Sequence, residues 1–186
     1  MINIAVFVSG GGTNCENLIR YFSASDKARV ALVVSNREDA YALIRAENMG
    51  VPSVVISKSD LADEKKVISL LDRYDIGFIA LAGYLLIIPL YLIDRYRGKM
   101  VNIHPSLLPK YGGKGMHGHH VHEAVKASGD KETGITIHHV SEVCDGGAII
   151  FQARTSIAPE DTTDDIARKV HVLEMEHFPK VIESLI

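Results

Sequence analysis

Ile2-Asn3-Ile4-Ala5-Val6-Phe7-Val8-Ser9-Gly10-Gly11-Gly12-Thr13-Asn14 opens the chain, and Asn17-Leu18-Ile19-Arg20-Tyr21-Phe22 follows at once. The first seven of these residues form a near-continuous, β-branched apolar run, which reads as a strand buried on both faces. Three glycines then turn the chain, and the following segment has helical spacing. Strand, glycine loop and helix in this order are the start of an open α/β unit. The alternation repeats outward from it. Arg29 to Ser35 reads as strand, Glu38 to Met49 as helix, Ser53 to Ile56 as a short strand, Leu61 to Tyr74 as helix and Gly77 to Leu81 as strand. Pro89 to Tyr96 and Met100 to Ile103 add a helix and a strand. The order then changes: a long loop from His104 to about Gly118, a helix through Val125, and two extended runs, Gly134 to Val140 and Ala148 to Ile157, joined as a hairpin across Ser141 to Gly147. Asp161 to Ile186 is a closing helix, with Thr162 or Thr163 in its capping region and Pro179 bending its end. The expected fold is one α/β domain over residues 1–186, with a doubly wound, mostly parallel sheet, helices on both faces and partly antiparallel C-terminal strands.

Composition agrees with that class. The chain has 186 residues, 47% hydrophobic and 23% charged, with 15 Gly and 6 Pro. This suffices for one buried core and excludes disordered or fibrous architectures. A formal charge of −3 gives no broad electrostatic reason to bind nucleic acid. The one uncharged stretch long enough to suggest a membrane span, Ile76 to Ile93, is interrupted by Gly77, Gly83 and Pro89, so no membrane association is expected. Cys15 and Cys144 have no metal-like spacing and suit a reducing compartment, and no charged leader precedes the first strand. The expected location is the cytoplasm.

Three places carry chemistry. Gly10 to Asn14 offers bare N–H groups at a helix N-terminus, suited to a phosphate. A dinucleotide fingerprint is absent, because Cys15 stands where the third Gly is needed and Ser35-Asn36 where an acid is needed. The alternative is a tight strand-to-helix turn and nothing more; Thr13 and Asn14 favour the anion by offering polar side chains. In Met100-Val101-Asn102-Ile103-His104-Pro105, the strand period of two sets Asn102 and His104 on one face and Pro105 ends the ladder at the carboxyl edge, where open α/β sheets bind ligands. An Asn and a His aimed at one point suit a carbonyl oxygen and a proton transfer. A capping Asn beside a core His is the plainer alternative. Asp145-Gly146-Gly147 either forms a hairpin turn or brings a carboxylate beside His104, where it would raise the imidazole pKa.

Ser9-Gly10-Gly11-Gly12-Thr13-Asn14, Leu81-Ala82-Gly83-Tyr84, Asn102-Ile103-His104-Pro105-Ser106-Leu107-Leu108-Pro109 and Asp145-Gly146-Gly147 occur in one order. With them the chain resembles the phosphoribosylglycinamide formyltransferase family of folate-dependent formyltransferases, essentially from Met1 to Ile186. The resemblance implies transfer of a formyl group from 10-formyltetrahydrofolate to the amine of 5-phosphoribosylglycinamide in purine biosynthesis. It implies Asn102, His104 and Asp145 as the catalytic trio. Gly12, Thr13 and Asn14 would hold the phosphate, and Glu174 the ribose or glycinamide end. Leu85, Leu86, Ile87 and Ile88 would border the folate pocket, with Asn102 and the loop from Ser141 to Asp145 as its other wall. Where many members have Phe-Met-Arg, this chain has Tyr84-Leu85-Leu86; Lys58 is the nearest basic candidate for the folate's glutamate tail.

The cluster His117, His119, His120 and His122 includes pairs one helical turn apart, but without Cys partners it is expected at the surface, with His117 facing the site and no metal bound. His138 matches a family histidine and would line the site, whereas His139 points to the other face. Rival functions are another 10-formyltetrahydrofolate enzyme, such as a hydrolase, and a non-catalytic nucleotide-binding module.

Overall fold

The computed structural model describes all 186 residues. Seven strands form one sheet in the order β3-β2-β1-β4-β5-β6-β7. They are β1 (Ile2–Val8), β2 (Ala28–Ser35), β3 (Ser53–Val55), β4 (Ile76–Leu81), β5 (Met100–His104), β6 (Glu132–His139) and β7 (Ile149–Ser156). The first five pair in parallel, and β6 and β7 run antiparallel to their neighbours. The helices are α1 (Thr13–Ser23), α2 (Tyr41–Asn48), α3 (Lys58–Leu61), α4 (Glu64–Arg73), α5 (Leu90–Arg95), α6 (His119–Ser128) and α7 (Thr163–Leu185).

Alternation along β1 sorts the two cores. Ile4, Val6 and Val8 pack with Leu18 and Phe22 of α1 and Val170 and Phe178 of α7. Ala5 and Phe7 pack on the other face with Val67 and Leu71 of α4 and Leu92 of α5. The unbroken apolar run Ile4 to Val8 is thereby covered on both faces, as its composition requires. The chain runs from β1 outward through β2 and β3, then returns to the opposite side of β1 as β4. That reversal opens a crevice at the carboxyl ends of β1 and β4. The Ser9 N–H donates to Gly83 O at 3.1 Å there, and the Leu85 N–H to Ser9 Oγ at 2.9 Å.

Two helices differ from expectation. Leu61 to Tyr74 is not one helix, because Ser57 caps α3 in a box with Asp60 while Asp63 caps α4 by accepting from Lys66 N–H. Two capping residues six apart end one helix and begin another. The helix expected from Glu38 begins only at Tyr41. Helix α7 starts at the Thr162–Asp165 capping box and runs through Pro179 to Leu185. Proline lacks the N–H that would bond the carbonyl four residues back. That carbonyl belongs to Met175, and Asn17 Nδ2 of α1 donates to it at 2.8 Å. No helix is long and apolar enough to cross a membrane.

Candidate active site

Asn102 and His138 are cross-strand partners of β5 and β6, so their side chains share a face. Asn102 Nδ2 lies 3.1 Å from His138 Nε2. His138 Nδ1 donates to its neighbour's carbonyl, His139 O, at 2.9 Å, which fixes the ring with Nε2 turned to Asn102 and Asp145. His104, two residues along β5, is only 4% exposed. Its Nε2–H donates to Tyr111 O at 2.7 Å, so the unprotonated Nδ1 of the neutral ring faces Asp145 Oδ2 at 3.6 Å. Asp145 also accepts from Gly113 N–H at 2.8 Å and lies 3.5 Å from Asn102 Nδ2 and 3.7 Å from His138 Nε2. Sequence spacing could not establish this convergence of Asn102, His104 and Asp145, and the structure provides it. Tyr111 and Asp145 both adopt left-handed backbone, φ 57° and 54°. Such strain at two non-glycine residues, each contacting His104, is held by the surrounding packing.

The loop after β5 is pinned from β6. Thr136 Oγ1 donates to Ser106 O at 2.7 Å and accepts from Leu108 N–H at 2.9 Å.

Burial pushes the His104 pKa down, and this outweighs the opposing pull of Asp145. The expected upward shift is therefore corrected: desolvation of a nearly closed site wins over one carboxylate at 3.6 Å. Burial alone would raise the Asp145 pKa, but His138 and the Gly113 N–H more than offset it and hold the group below the usual carboxylate range.

The glycine loop ends at Gly12, the N-cap of α1, with φ 75° and no capping side chain. The first-turn N–H groups are thus left without a cap. Thr13 is exposed. Asn14 differs from expectation: its Nδ2 donates to Glu174 Oε2 at 2.9 Å rather than standing free for an anion. Glu174 is also approached by His171 Nδ1 at 3.3 Å, and its charge acts on both His104 and His122. Glu174 therefore lies on the glycine-loop side of the trio.

On the other side an apolar cavity is lined by Leu81, Tyr84, Leu85, Leu86, Ile87 and Ile88, with Asn102, His138 and the segment Val140 to Asp145 opposite. The residues proposed for a folate wall, Ser141 included, thus border one cavity. Lys58, at the start of α3, does not line it. A larger hollow beside Asn3 and Arg29, at the amino ends of the strands, is remote from this chemistry. The glycines after Asp145 serve the hairpin itself: a Cβ on Gly147 would sit 1.7 Å from His139 O, and one on Gly146 2.7 Å from Val143 Cγ1. Both readings of Asp145-Gly146-Gly147 therefore hold, the turn through the glycines and the carboxylate through Asp145.

The histidine cluster divides. His117, His119 and His120 are exposed, whereas His122 is buried at 7% exposure with Nδ1 unpartnered. His122 was expected at the surface; helical spacing instead turns it inward with Val121 and Val125. No three His, Cys, Asp or Glu side chains gather in a metal-ligating arrangement.

The sequence profile of the formyl transferase family matches residues 2–182. The chain belongs to the formyl transferase family. It is 37% identical to phosphoribosylglycinamide formyltransferase of Haemophilus influenzae, over 98% of this chain and 86% of that protein. It is 38% identical to the chloroplastic phosphoribosylglycinamide formyltransferase of Arabidopsis thaliana, over 98% of this chain and 64% of that one. The crystal structure of glycinamide ribonucleotide transformylase 1 from Geobacillus kaustophilus superposes with a TM-score of 0.90 at 37% identity, covering 100% of this chain and 98% of that chain. The seven-stranded sheet is thus that of a formyl transferase, with the antiparallel pair β6 and β7 carrying His138 and the loop that delivers Asp145.

Proposed function

We propose that this formyl transferase moves the formyl group of 10-formyltetrahydrofolate onto the primary amine of 5-phosphoribosylglycinamide, without a metal. The observation that carries this reading is the meeting of Asn102, His104 and Asp145 between an apolar cavity and an uncapped glycine-loop helix. The cavity suits the flat ring system of a reduced folate, the loop N–H groups suit a phosphate, and Glu174 suits hydroxyl or amine donors between them.

In the reaction the amine adds to the formyl carbon, the new C–N bond forms, the C–N10 bond of the donor breaks, and the proton lost by the amine ends on N10. His104 enters neutral, because burial holds its pKa down. Its Nδ1 accepts the proton, and the imidazolium so formed donates toward Asp145 while Nε2–H stays on Tyr111 O. A neutral imidazole thus stands in place of the raised pKa expected from sequence. Asn102 supplies the N–H for the developing oxyanion. Of its two contacts the one to Asp145, at 3.5 Å, is the weaker and the one a growing charge on the formyl oxygen would recruit. His138 fixes the amide's orientation through the 3.1 Å contact. The amine is itself the nucleophile, so no acyl-enzyme is needed; burial pushes the Cys15 and Cys144 thiols up, and the Glu16 and Asp145 carboxylates beside them push the same way, so neither is an activated thiolate.

An absorbance assay for tetrahydrofolate formation, run with and without the ribonucleotide, tests this. Product should require both substrates. Product without the ribonucleotide would identify a hydrolase, and binding of the ribonucleotide alone with no turnover would leave a nucleotide-binding module.

A further inference from the structure

Helix α2 touches the glycine loop at three points. The Ala42 N–H donates to Gly10 O at 3.1 Å, Arg45 Nε donates to Gly11 O at 2.8 Å, and a Cβ on Gly12 would lie 2.4 Å from Ala42 Cβ. In a trans peptide the C=O of one residue and the N–H of the next point in opposite directions. Holding the carbonyls of Gly10 and Gly11 against α2 therefore turns the N–H groups of Gly11 and Gly12 away from it, toward the open end of α1. The Arg45 guanidinium has little freedom of its own: it pairs with Glu16 and stacks 4.9 Å over the Tyr41 ring. Glu16 sits in the first turn of α1, where its carboxylate would repel an anion at the same helix end; Arg20 holds its Oε1 at 2.7 Å from the outer side, and Arg45 holds its Oε2 on the loop side.

We propose that Arg45 is a positioning residue for the phosphate subsite, aiming the loop N–H groups through Gly11 O and neutralising Glu16 beside them. It touches no substrate. The proposal rests on the reading that this loop holds the substrate's phosphate, and it adds the element that shapes the loop. Its sequence signal was weak because an Arg in the last turn of a helix reads as a favourable charge at the helix C-terminus.

The test uses the full chain with Arg45→Ala, Arg45→Lys, Glu16→Gln and the double variant Glu16→Gln/Arg45→Ala. Inorganic phosphate is the binding probe, titrated calorimetrically, and KM is measured for each substrate. Arg45→Ala should weaken phosphate binding and raise KM for the ribonucleotide about tenfold, the loss of one charge-assisted hydrogen bond. The folate KM and kcat should hardly move. Arg45→Lys should recover part of the loss, and the double variant should bind phosphate better than Arg45→Ala because the carboxylate left with Arg20 as its one partner is gone. Unchanged phosphate binding in Arg45→Ala overturns the proposal. So does equal damage to both KM values with a lowered melting temperature, which would make Arg45 a general stabiliser. Phosphate titration judges Arg45 even in a wild-type chain that transfers no formyl group, so failure here and failure of the proposed reaction are distinguishable.

Discussion

Gly12→Ala should be costly twice over. At φ 75° the new side chain enters a left-handed conformation, and its Cβ would stand 2.4 Å from Ala42 Cβ and 2.7 Å from Ala42 Cα, where 3.4–4 Å is ordinary contact. Helix α2 or the loop must then yield by roughly 1 Å, yet Ala42 is fully buried and its N–H is bound to Gly10 O. The left-handed backbone costs about 1–2 kcal/mol and the overpacking about 1–3 kcal/mol, so roughly 2–5 kcal/mol is expected in all. In a chain of this size each kcal/mol lowers Tm by about 2–4 °C, which gives a fall of roughly 4–20 °C. The strain is relieved most readily by pushing the loop off α2, so KM for the ribonucleotide should rise more than KM for the folate. Gly11→Ala is the control for stability: its Cβ would meet nothing within 4 Å and its φ is not left-handed, so Tm should barely change. Calorimetric melting and steady-state kinetics on both variants decide the matter. A Gly12→Ala chain as stable as wild type with an unaltered ribonucleotide KM would refute the packing argument, and equal loss toward both substrates would point to general misfolding.

In Asp145→Asn, burial acts on His104 with its strongest opponent removed, so the acid limb of kcat/KM should move to lower pH while kcat falls; a limb that moves up, or stays, contradicts the assignment. The same pair makes stability pH-dependent. A His104 pKa lowered by burial withdraws stability as pH falls below about 6.5, and the lowered Asp145 pKa withdraws more as pH falls through the carboxylate range below about 4; urea titrations should show both in wild type and only the first in Asp145→Asn. Asn17→Ala should cost about 1 kcal/mol through the Met175 carbonyl that Pro179 leaves free, and Pro179→Ala, which restores the helical N–H, should remove most of that penalty; equal Asn17→Ala penalties in both backgrounds would show no coupling. Formyl transfer should survive exhaustive chelation, and loss restored by added zinc would reassign His117, His119 and His120.

Local patterns were readable where side chains alone decide them. The run Ile2 to Val8 is a strand residue for residue because only a doubly covered strand buries five consecutive apolar side chains, Ile4 to Val8, and Asn102 and His104 share a face because strand period allows nothing else. The family motifs brought Asp145 and the pocket wall Leu85 to Ile88 into the same reading. Backbone groups were not readable: Tyr111 O and Gly113 N–H complete the site, but any residue could supply them, and only the left-handed turn at Tyr111 presents that carbonyl. The charge state of His104 was misjudged because desolvation depends on how tightly the site closes, which no residue name reports. His122 was misplaced because four histidines within six positions look like a wet surface, whereas helix phase buries one of them. The split between α3 and α4 was hidden because Leu61 to Tyr74 reads as one helical segment, and only the separate hydrogen bonds of Ser57 with Asp60 and of Asp63 with Lys66 show two caps.

The most direct test of the catalytic trio is a double-mutant cycle on kcat for His104→Ala and Asp145→Asn, at saturating folate and ribonucleotide. If Asp145 acts by stabilising the imidazolium of His104, His104→Ala should lower kcat by about 10²- to 10⁴-fold with little change in substrate binding, and adding Asp145→Asn should make it scarcely worse. Near-wild-type kcat in His104→Ala, or two losses that multiply as independent effects, would contradict proton transfer through His104 under the control of Asp145.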